Sequence, residues 1–420
     1  MEELNSASHL RFNFWVLSVV GMWPASNYII LGLSYILTVI IFAFWLSFLA
    51  LGISVRNDMN RLPVCVGFVC GYFVSLYKWS RIVVYRKDIQ DLIRSFTRCF
   101  KLGFVAAKDD SDSWRQILEA TRKKVRNLSV GWVTYLMYIS HHGVLFALSL
   151  NGMKVPIPKT ETEKPLFNDN VNITELHTDE SANQTKSEEM FMTLKFLPFG
   201  DWPFVDTRDS PAYELVYFLQ ATGAIVHAWA HAATDVLFLA ISTLVCGQLE
   251  ILILTLSKVG KSNNYKEFSS CIRHHQQILS IAEVINDIYS PIMLVQFFNT
   301  MMALCTFAFE ASKMEGGGNQ IWVQADFFIA TALQVYLFCS VGSRLTTLSL
   351  EVADSCYESD WVNKPKFWKK SVEIVIMRAQ KPLKLVGGPF YVISKETFLA
   401  LIQLSFSYYT VLRNVQEEKE

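Results

Sequence analysis

Three polar side chains share one helical face within a long apolar stretch of the chain. His227, His231 and Asp235 follow one another at four-residue spacing, which is a spacing that metal ligands use on a helix. A closed metal site needs a fourth ligand, and the sequence offers no apparent one. The pattern therefore favours a membrane-buried polar network over a metal centre.

Motifs of enzymatic chemistry are absent from the sequence. It contains no nucleophile elbow, no paired catalytic carboxylates and no dinucleotide fingerprint, and Gly316–Gly318 follows no predicted strand, so it is not a phosphate loop. The eight cysteines show neither CxxC nor Cys/His metal spacing, which indicates buried thiols. We expect no enzymatic activity, no cofactor, no metal and no nucleic-acid partner.

Small and polar residues form a stripe along the last apolar segment. Spacings of four and three place Glu396, Ala400, Gln403, Ser407, Thr410 and Asn414 on one side of a helix. A second row at the same spacing lies beside it: Leu404, Tyr408, Val411 and Val415. Two interpretations fit. The stripe lines a water-filled pore that an apolar ring closes by dewetting, or it lets a neighbouring helix pack closely.

Hydropathy predicts an all-α integral membrane protein with seven transmembrane helices. The chain is 51% apolar and 14% aromatic, with a positive mean hydropathy of +0.26. Each apolar segment can cross a bilayer core of about 30 Å. The segments are Ile29–Leu51, Leu62–Tyr77, Leu128–Leu150, one within Ala212–Val259, Pro291–Phe309, Ile321–Val341 and Pro389–Leu412.

Charge distribution predicts the orientation of these helices. Arg86–Asn127 carries eleven Lys/Arg against six Asp/Glu, whereas Asn151–Ser210 carries six against eleven. Basic residues accumulate in cytoplasmic loops. Arg344–Lys384, with eight against five, is also cytoplasmic only if Ala212–Val259 crosses once. The amino terminus is then cytoplasmic and the carboxyl terminus extracellular.

The predicted topology divides the chain into five parts. They are a cytoplasmic amino-terminal segment (1–28), helices one to six (29–343) with an external loop (151–210), a cytoplasmic connector and anchor region (344–388), the seventh helix (389–412) and an extracellular tail (413–420). Extensions of the later helices form a cytoplasmic helical bundle. The sequons at Asn172 and Asn183 lie in the external loop, where they can be glycosylated.

The stretch from Ile376 to Val415 resembles the end of insect odorant receptors. Their Arg-Ala-Gln-Lys-Pro turn corresponds to Arg378–Pro382, their Phe-Tyr-x-Ile-Ser start to Phe390–Ser394, and their Ser-Tyr-x-Thr-Val-Leu-Arg finish to Ser407–Arg413. Weaker similarity covers His275–Phe309 and Thr234–Phe238.

This resemblance implies a ligand-gated, non-selective cation channel in the plasma membrane of an olfactory neuron dendrite. Such subunits form a heterotetramer with a co-receptor subunit and line one pore with the last helix, so Val411 and Val415 correspond to the gate. The co-receptor carries a long insertion where Lys258–His275 is short, which identifies an odorant-specific subunit. The implied pore residues are Gln403, Leu404, Ser407, Tyr408, Thr410, Val411, Asn414 and Val415.

The resemblance also implies that a small volatile, hydrophobic odorant binds among the second, third, fourth and sixth helices. Aromatic and apolar residues on their outer halves suit such a ligand, although each of them also fits plain packing. The candidates are Tyr72, Phe73, Tyr138, His141, His142, Leu219, Thr222, Leu333 and Tyr336. Two alternatives remain: a gustatory-type channel, and a G-protein-coupled receptor if the orientation is reversed.

Overall fold

A computed structural model shows a mainly helical protein. It describes residues 10–22, 28–54, 56, 62–106, 111–150, 154–156, 172–177, 191–195, 197, 205, 210–259, 264–313 and 320–417. The helices among these residues are α1 (Arg11–Val19), α2 (Tyr28–Ser54), α3 (Leu62–Val84), α4 (Arg86–Ala106), α5 (Ser111–Leu150), α6 (Ala212–Val259), α7 (Tyr265–Lys313), α8 (Gln320–Tyr357), α9 (Lys366–Ala379) and α10 (Lys395–Glu417). The strands are β1 (Lys154–Pro156), β2 (Asn172–His177), β3 (Phe191–Lys195), β4 (Val386–Gly387) and β5 (Tyr391–Val392).

The long helices explain where the predicted spans lie. Ala212–Val259 forms one continuous helix of 48 residues, about 72 Å long at 1.5 Å per residue. A continuous helix does not double back, so this segment can cross a bilayer only once. Among the described residues, three helical stretches are long and apolar enough to span by themselves: Ala212–Val259, Tyr265–Ala308 and Ala325–Tyr357. The other predicted spans lie within or overlap α2, α3, α5 and α10.

Two details of the predicted fold are corrected. The seventh helix begins at Lys395 and not at Pro389, because Val386–Gly387 and Tyr391–Val392 pair as a short antiparallel hairpin. The predicted external loop, within an otherwise all-α prediction, contains an antiparallel sheet in the order β1-β3-β2. Asn172 begins β2, and Asn183 lies outside the described residues.

The chain forms two compact units, and four long helices run through both. The first comprises residues up to Ile36, Phe73–Thr134 and Ala230–Glu420, and the second comprises Leu37–Tyr72 and Tyr135–Trp229. In the second unit, Phe44, Phe48 and Tyr72 form an aromatic cluster with centroid distances of 5.3–6.4 Å. Gly223 lies against Phe44, where a β-carbon would come within 2.4 Å of the ring.

In the first unit, α4 packs on α7 and α9 packs on α8. Gly103 of α4 leaves room for the imidazole of His274, whose Nε2 lies 3.0 Å from Oε1 of Gln248. His274 is fully buried and acts as a packed polar residue.

Aromatic rings anchor α9 beside the start of α7. Trp368 stacks on Phe268 with a centroid distance of 5.3 Å, and Tyr265 contacts the edges of Phe367 and Trp368 at 4.9 and 5.4 Å. These contacts hold the region that follows α8 as an ordered, packed segment.

The hairpin β4–β5 fixes the entry into α10. Gly388 adopts φ +59°, a conformation that side chains with a β-carbon disfavour, and its N–H donates to Oγ of Ser290 at 2.9 Å. The Tyr391 hydroxyl donates to the carbonyl of Met293 at 2.5 Å. Ser394 caps α10 by accepting the Thr397 N–H at 3.3 Å. The last helix therefore starts from a turn that is bonded to α7.

Close packing at Gly342 gives the first prediction. A β-carbon at Gly342 would lie 2.1 Å from the backbone carbonyl oxygen of Ile393, so Gly342→Ala must displace the segment that leads into α10. We expect Gly342→Ala to lower the free energy of unfolding by roughly 1–3 kcal/mol, as overpacking does. Thermal unfolding of the detergent-purified chain, followed by tryptophan fluorescence, measures this loss.

Gly131→Ala is the matched control. A β-carbon at Gly131 meets nothing within 4 Å, and alanine is the better helix former. The control should melt at or above the temperature of the unsubstituted chain. Equal melting temperatures for the two variants would contradict the close approach of α8 to the hairpin.

Candidate functional site

The last helix has one buried face and one uncovered face within the single chain. Leu401 and Ser405 are buried against the chain, whereas Gln403, Ser407 and Thr410 are exposed. At 100° per residue the polar stripe lies opposite the buried pair. The Ser407 and Thr410 hydroxyls donate to the carbonyls of Gln403 and Phe406, at 3.1 and 3.0 Å, so these two donors are satisfied within the helix.

The apolar row beside the stripe is also uncovered. Leu404 is 42% exposed, Tyr408 49% and Val411 58%. Asn414 is exposed as well, and the side chain of Val415 lies outside the described residues. The predicted pore residues whose side chains the structure describes thus occupy a surface that the chain itself does not cover.

Helix α8 positions α10. The Lys395 N–H donates to Oγ of Ser343 at 2.9 Å, and Tyr336 meets the ring of Phe398 edge-on at a centroid distance of 5.6 Å. Tyr336, a predicted odorant contact, therefore also touches the predicted pore helix.

The predicted odorant residues of the second unit divide into buried and exposed positions. Tyr72 is 2% exposed and contacts the ring of His227 at a centroid distance of 4.3 Å. Tyr138 is 55% exposed and stacks on His142 at 5.6 Å, while Nδ1 of the exposed His141 lies 2.7 Å from the carbonyl oxygen of Met137.

The remaining predicted contacts are partly exposed. Leu219 is 38% exposed, and the Thr222 hydroxyl donates to the Phe218 carbonyl at 2.8 Å. In the first unit, Phe73 is 44% exposed and Leu333 is half-buried. These residues stay predictions as ligand contacts.

A buried polar network surrounds Asp235 in the first unit. Its Oδ1 accepts the Lys78 ammonium at 2.7 Å, and its Oδ2 accepts Nε2 of Gln334 at 2.5 Å and Nε1 of Trp132 at 3.3 Å. Lys78 and Asp235 are only 1% and 2% exposed, and Nδ1 of His231 lies 3.2 Å from the Lys78 ammonium. One carboxylate thereby connects α3, α5, α6 and α8.

The network continues into α7. Nε2 of Gln296 donates to Oε1 of Gln334 at 2.9 Å and to the Thr300 hydroxyl at 3.2 Å. His227 instead packs on the Tyr72 ring. Among the described residues no group of three His, Cys, Asp or Glu has a geometry that suits a metal ion.

Sequence reasoning identified Asp235 and His231 but missed their partners. Lys78 directly follows the predicted span Leu62–Tyr77, and Gln296 and Gln334 lie within the predicted fifth and sixth spans. A polar or ionisable residue at membrane depth is uncommon and usually faces a partner inside the bundle. That signal points to Lys78, although it does not specify the partner.

Loss of the carboxylate should be strongly destabilising. Asp235→Ala leaves the buried Lys78 ammonium without its counter-charge, which typically costs about 3–5 kcal/mol. The double variant Lys78→Met, Asp235→Leu removes both charges and should recover much of that loss. Thermal unfolding and the yield at the cell surface measure both variants.

The exposed pair of Asp91 and Arg94 supplies the control. Their side chains are 67% and 73% exposed at an N–O distance of 2.8 Å. Asp91→Ala should change the stability little, because exposed ion pairs contribute at most about 1 kcal/mol. A double variant at positions 78 and 235 as unstable as Asp235→Ala would show that the charge itself is not the cause.

The fold is similar to that of a solved insect receptor. The structure of the insect olfactory receptor OR5 from Machilis hrabei matches with a TM-score of 0.76 and 14% identity, covering 99% of this chain and 100% of that one. The structure of that receptor in complex with eugenol matches with a TM-score of 0.74. This likeness shows that the two chains share one fold.

Curated insect proteins are similar in sequence. Odorant receptor 67c of Drosophila melanogaster is 29% identical over 217 residues, which is 50% of this chain, so the chain spans about half (53%) of that receptor's length. Odorant receptor 10 of Aedes albopictus is 27% identical over 54% of this chain and 62% of its own length. Odorant receptor 67a of Drosophila melanogaster is 20% identical over 90% of this chain and 86% of its own length.

The family model of the 7tm odorant receptors matches residues 181–406, more than half of the chain. The resemblance inferred from the carboxyl-terminal motifs is thus confirmed, and the chain belongs to the 7tm odorant receptor family.

Proposed function

We propose that the chain is the odorant-specific subunit of a ligand-gated, non-selective cation channel. A small volatile organic ligand binds among its transmembrane helices and opens a central pore lined by α10. The observation that carries this proposal is the uncovered polar stripe of α10. Its residues lie opposite the buried Leu401 and Ser405, on the side that the chain itself leaves uncovered.

Assembly of several subunits around an axis would bring the polar stripes together. Gln403, Ser407 and Asn414 then face water, which suits hydrated cations. Val411 lies between that stripe and the buried face, with Val415 one turn later. A ring of valines is narrow and apolar, so it closes a pore by excluding water.

Aromatic side chains support a small organic ligand. Tyr72, Tyr138 and His142 supply ring surfaces in the second unit. The related Machilis hrabei receptor has been solved in complex with eugenol, which supports the same class of ligand for this chain. Tyr336 touches Phe398 of α10, so it offers a contact through which ligand binding reaches the pore helix.

The partner in this proposal is the broadly expressed odorant receptor co-receptor, and the location is the plasma membrane of an olfactory neuron dendrite. Helix α6 ends at Val259 and α7 begins at Tyr265, so the connector is short, as expected of an odorant-specific subunit. The orientation rests on the basic connectors and on the acidic loop with sequons at Asn172 and Asn183.

Epitope accessibility tests the orientation. An epitope after Glu420 should be stained on intact cells, and one before Met1 only after permeabilisation, because the basic connectors keep the amino terminus inside. The reverse staining would refute the channel orientation and favour a G-protein-coupled receptor.

Current recordings test the channel and its gate. Cells that express this chain with a co-receptor subunit should give odorant-evoked cation currents across a panel of volatile compounds. Val411→Ser makes the constriction more polar and eases its wetting, so the basal current should rise while the ranking of odorants persists.

Val362→Ser is the matched control for the gate. Val362 is 59% exposed, close to the 58% of Val411, and it lies between α8 and α9. Its substitution should leave the basal current unchanged. If Val411→Ser altered the odorant ranking with no change in basal current or ion permeability, α10 would be a ligand-binding helix and not the pore lining.

A further inference from the structure

A cavity of about 470 Å³ lies within the first unit, apart from the predicted odorant and pore residues. Helices α5, α6 and α8 and the first residue of α10 line it. Its charged lining consists of Lys124, Arg344, Lys395 and Glu351. Three cations and one carboxylate therefore line the cavity.

Lys124 carries the uncompensated part of this charge, because Lys395 interacts electrostatically with Glu396 of its own helix. Arg344 forms an ion pair with Glu250, which partly neutralises it. Lys124 and Lys395 are exposed, and among the described residues no carboxylate lies within ion-pair distance of the Lys124 ammonium. The cavity thus presents the ammonium of Lys124 to an anion, beside the partly balanced cations of Arg344 and Lys395.

A buried hydroxyl without a partner lies deeper in the same cavity. Thr243 lines it, is 2% exposed, and its Oγ1 has no hydrogen-bond partner in the described part of the chain. Elsewhere on α6 the hydroxyls of Thr222 and Thr255 donate to their own helix, to the carbonyls of Phe218 and Leu252. An unsatisfied buried hydroxyl is costly unless a ligand completes it.

The lining changes from polar to apolar along the helices. Leu128, Leu337 and Val341 lie at the ends of the predicted third and sixth spans that border the basic connectors. Lys124 and Arg344 follow one turn outside these ends. An amphiphile with an anionic head and apolar chains matches this order.

We propose that this cavity binds the multiply phosphorylated headgroup of a phospholipid from the cytoplasmic leaflet. Basic pockets between helices on the cytoplasmic side suit such headgroups, because the phosphates meet lysine and arginine while the acyl chains stay in the bilayer. Phosphate oxygens accept from the ammonium groups of Lys124 and Lys395 and from the Thr243 hydroxyl. The side of the membrane rests on the orientation in the proposed function.

Binding of a lipid probe to the purified full-length chain tests this site. The chain is placed in phosphatidylcholine nanodiscs and titrated with a fluorescent dioctanoyl phosphatidylinositol bisphosphate at physiological salt. The double variant Lys124→Gln, Lys395→Gln should weaken binding about 25-fold, because each cation near an anionic headgroup contributes a factor of roughly five.

The control removes the same charge at other exposed positions. Lys123 and Lys384 are exposed and do not line the cavity. The double variant Lys123→Gln, Lys384→Gln should therefore bind the probe with unchanged affinity. Equal weakening by both double variants would indicate general attraction to surface charge and would overturn the site.

Two further arms locate the headgroup and identify its source. Thr243→Val keeps the side-chain shape and should weaken binding severalfold, whereas unchanged affinity would place the phosphates outside the cavity. Soluble inositol trisphosphate should compete much more weakly than the lipid, because it lacks the chains that meet the apolar lining. Equal competition would identify a free phosphate ligand and refute the lipid.

Melting temperatures equal to that of the unsubstituted chain show that each variant is folded. The binding measurement needs no current and no odorant. If the chain binds the lipid through Lys124 but gives no odorant-evoked current when expressed with a co-receptor subunit, this inference stands and the channel is refuted. If currents appear with the co-receptor but the Lys124 and Lys395 variants bind the lipid normally, the channel stands and this inference is refuted.

Discussion

Burial of the Lys78–Asp235 ion pair is the constraint on which the first unit depends. Two charges that water does not reach are stable only if each has a counter-charge and hydrogen bonds for its remaining oxygens or protons. Asp235 meets this condition with donors from Lys78, Gln334 and Trp132. Since those donors lie on different helices, the hydrogen bonds that the Asp235 carboxylate needs fix the relative positions of α3, α5, α6 and α8.

The same logic governs other polar groups among the packed helices. The amide of Asn13, in the short helix α1, donates to Ser129 Oγ at 2.9 Å and to the Val236 carbonyl at 3.0 Å. Val236 is the neighbour of Asp235 in the chain. The amino-terminal helix is thus fastened to the part of α6 that carries the ion pair. Apolar contacts set how tightly these helices pack, and the sparse hydrogen bonds select their register.

Hydropathy and charge predicted the helical architecture because both depend on composition over long windows. Ala212–Val259 could be assigned as a single crossing only because its length was weighed against the basic Arg344–Lys384, and the structure shows one helix there. The hairpin at Val386 and Tyr391 was missed because its residues are apolar and adjoin the last helix, so hydropathy merges the two. The strands β1, β2 and β3 were not predicted for the opposite reason, because they are short and lie in polar sequence.

Patterns within one helix could be predicted from the sequence, whereas contacts between distant helices could not. The stripe of Gln403, Ser407 and Thr410 follows from helical spacing alone, and the structure leaves it uncovered. The partners of Asp235 come from residues about 100 to 157 positions away, such as Lys78 and Gln334, and spacing within one helix carries no information about them. The hydroxyl of Thr243 could be recognised as unsatisfied only once its surroundings were known.

Pro291 interrupts the hydrogen-bond ladder of α7, and its consequence reaches another helix. Proline has no N–H, so the carbonyl of Asp287, four residues earlier, loses its usual donor. The Arg81 guanidinium of α3 donates to that carbonyl at 2.7 Å and to the carbonyl of Ile288 at 3.2 Å. If Pro291 were replaced by a residue with a backbone N–H, that N–H could donate to the Asp287 carbonyl. The bond from the Arg81 guanidinium would then no longer be needed there. We therefore expect substitutions at positions 81 and 291 to be correlated among related chains, although the two positions are 210 residues apart in sequence.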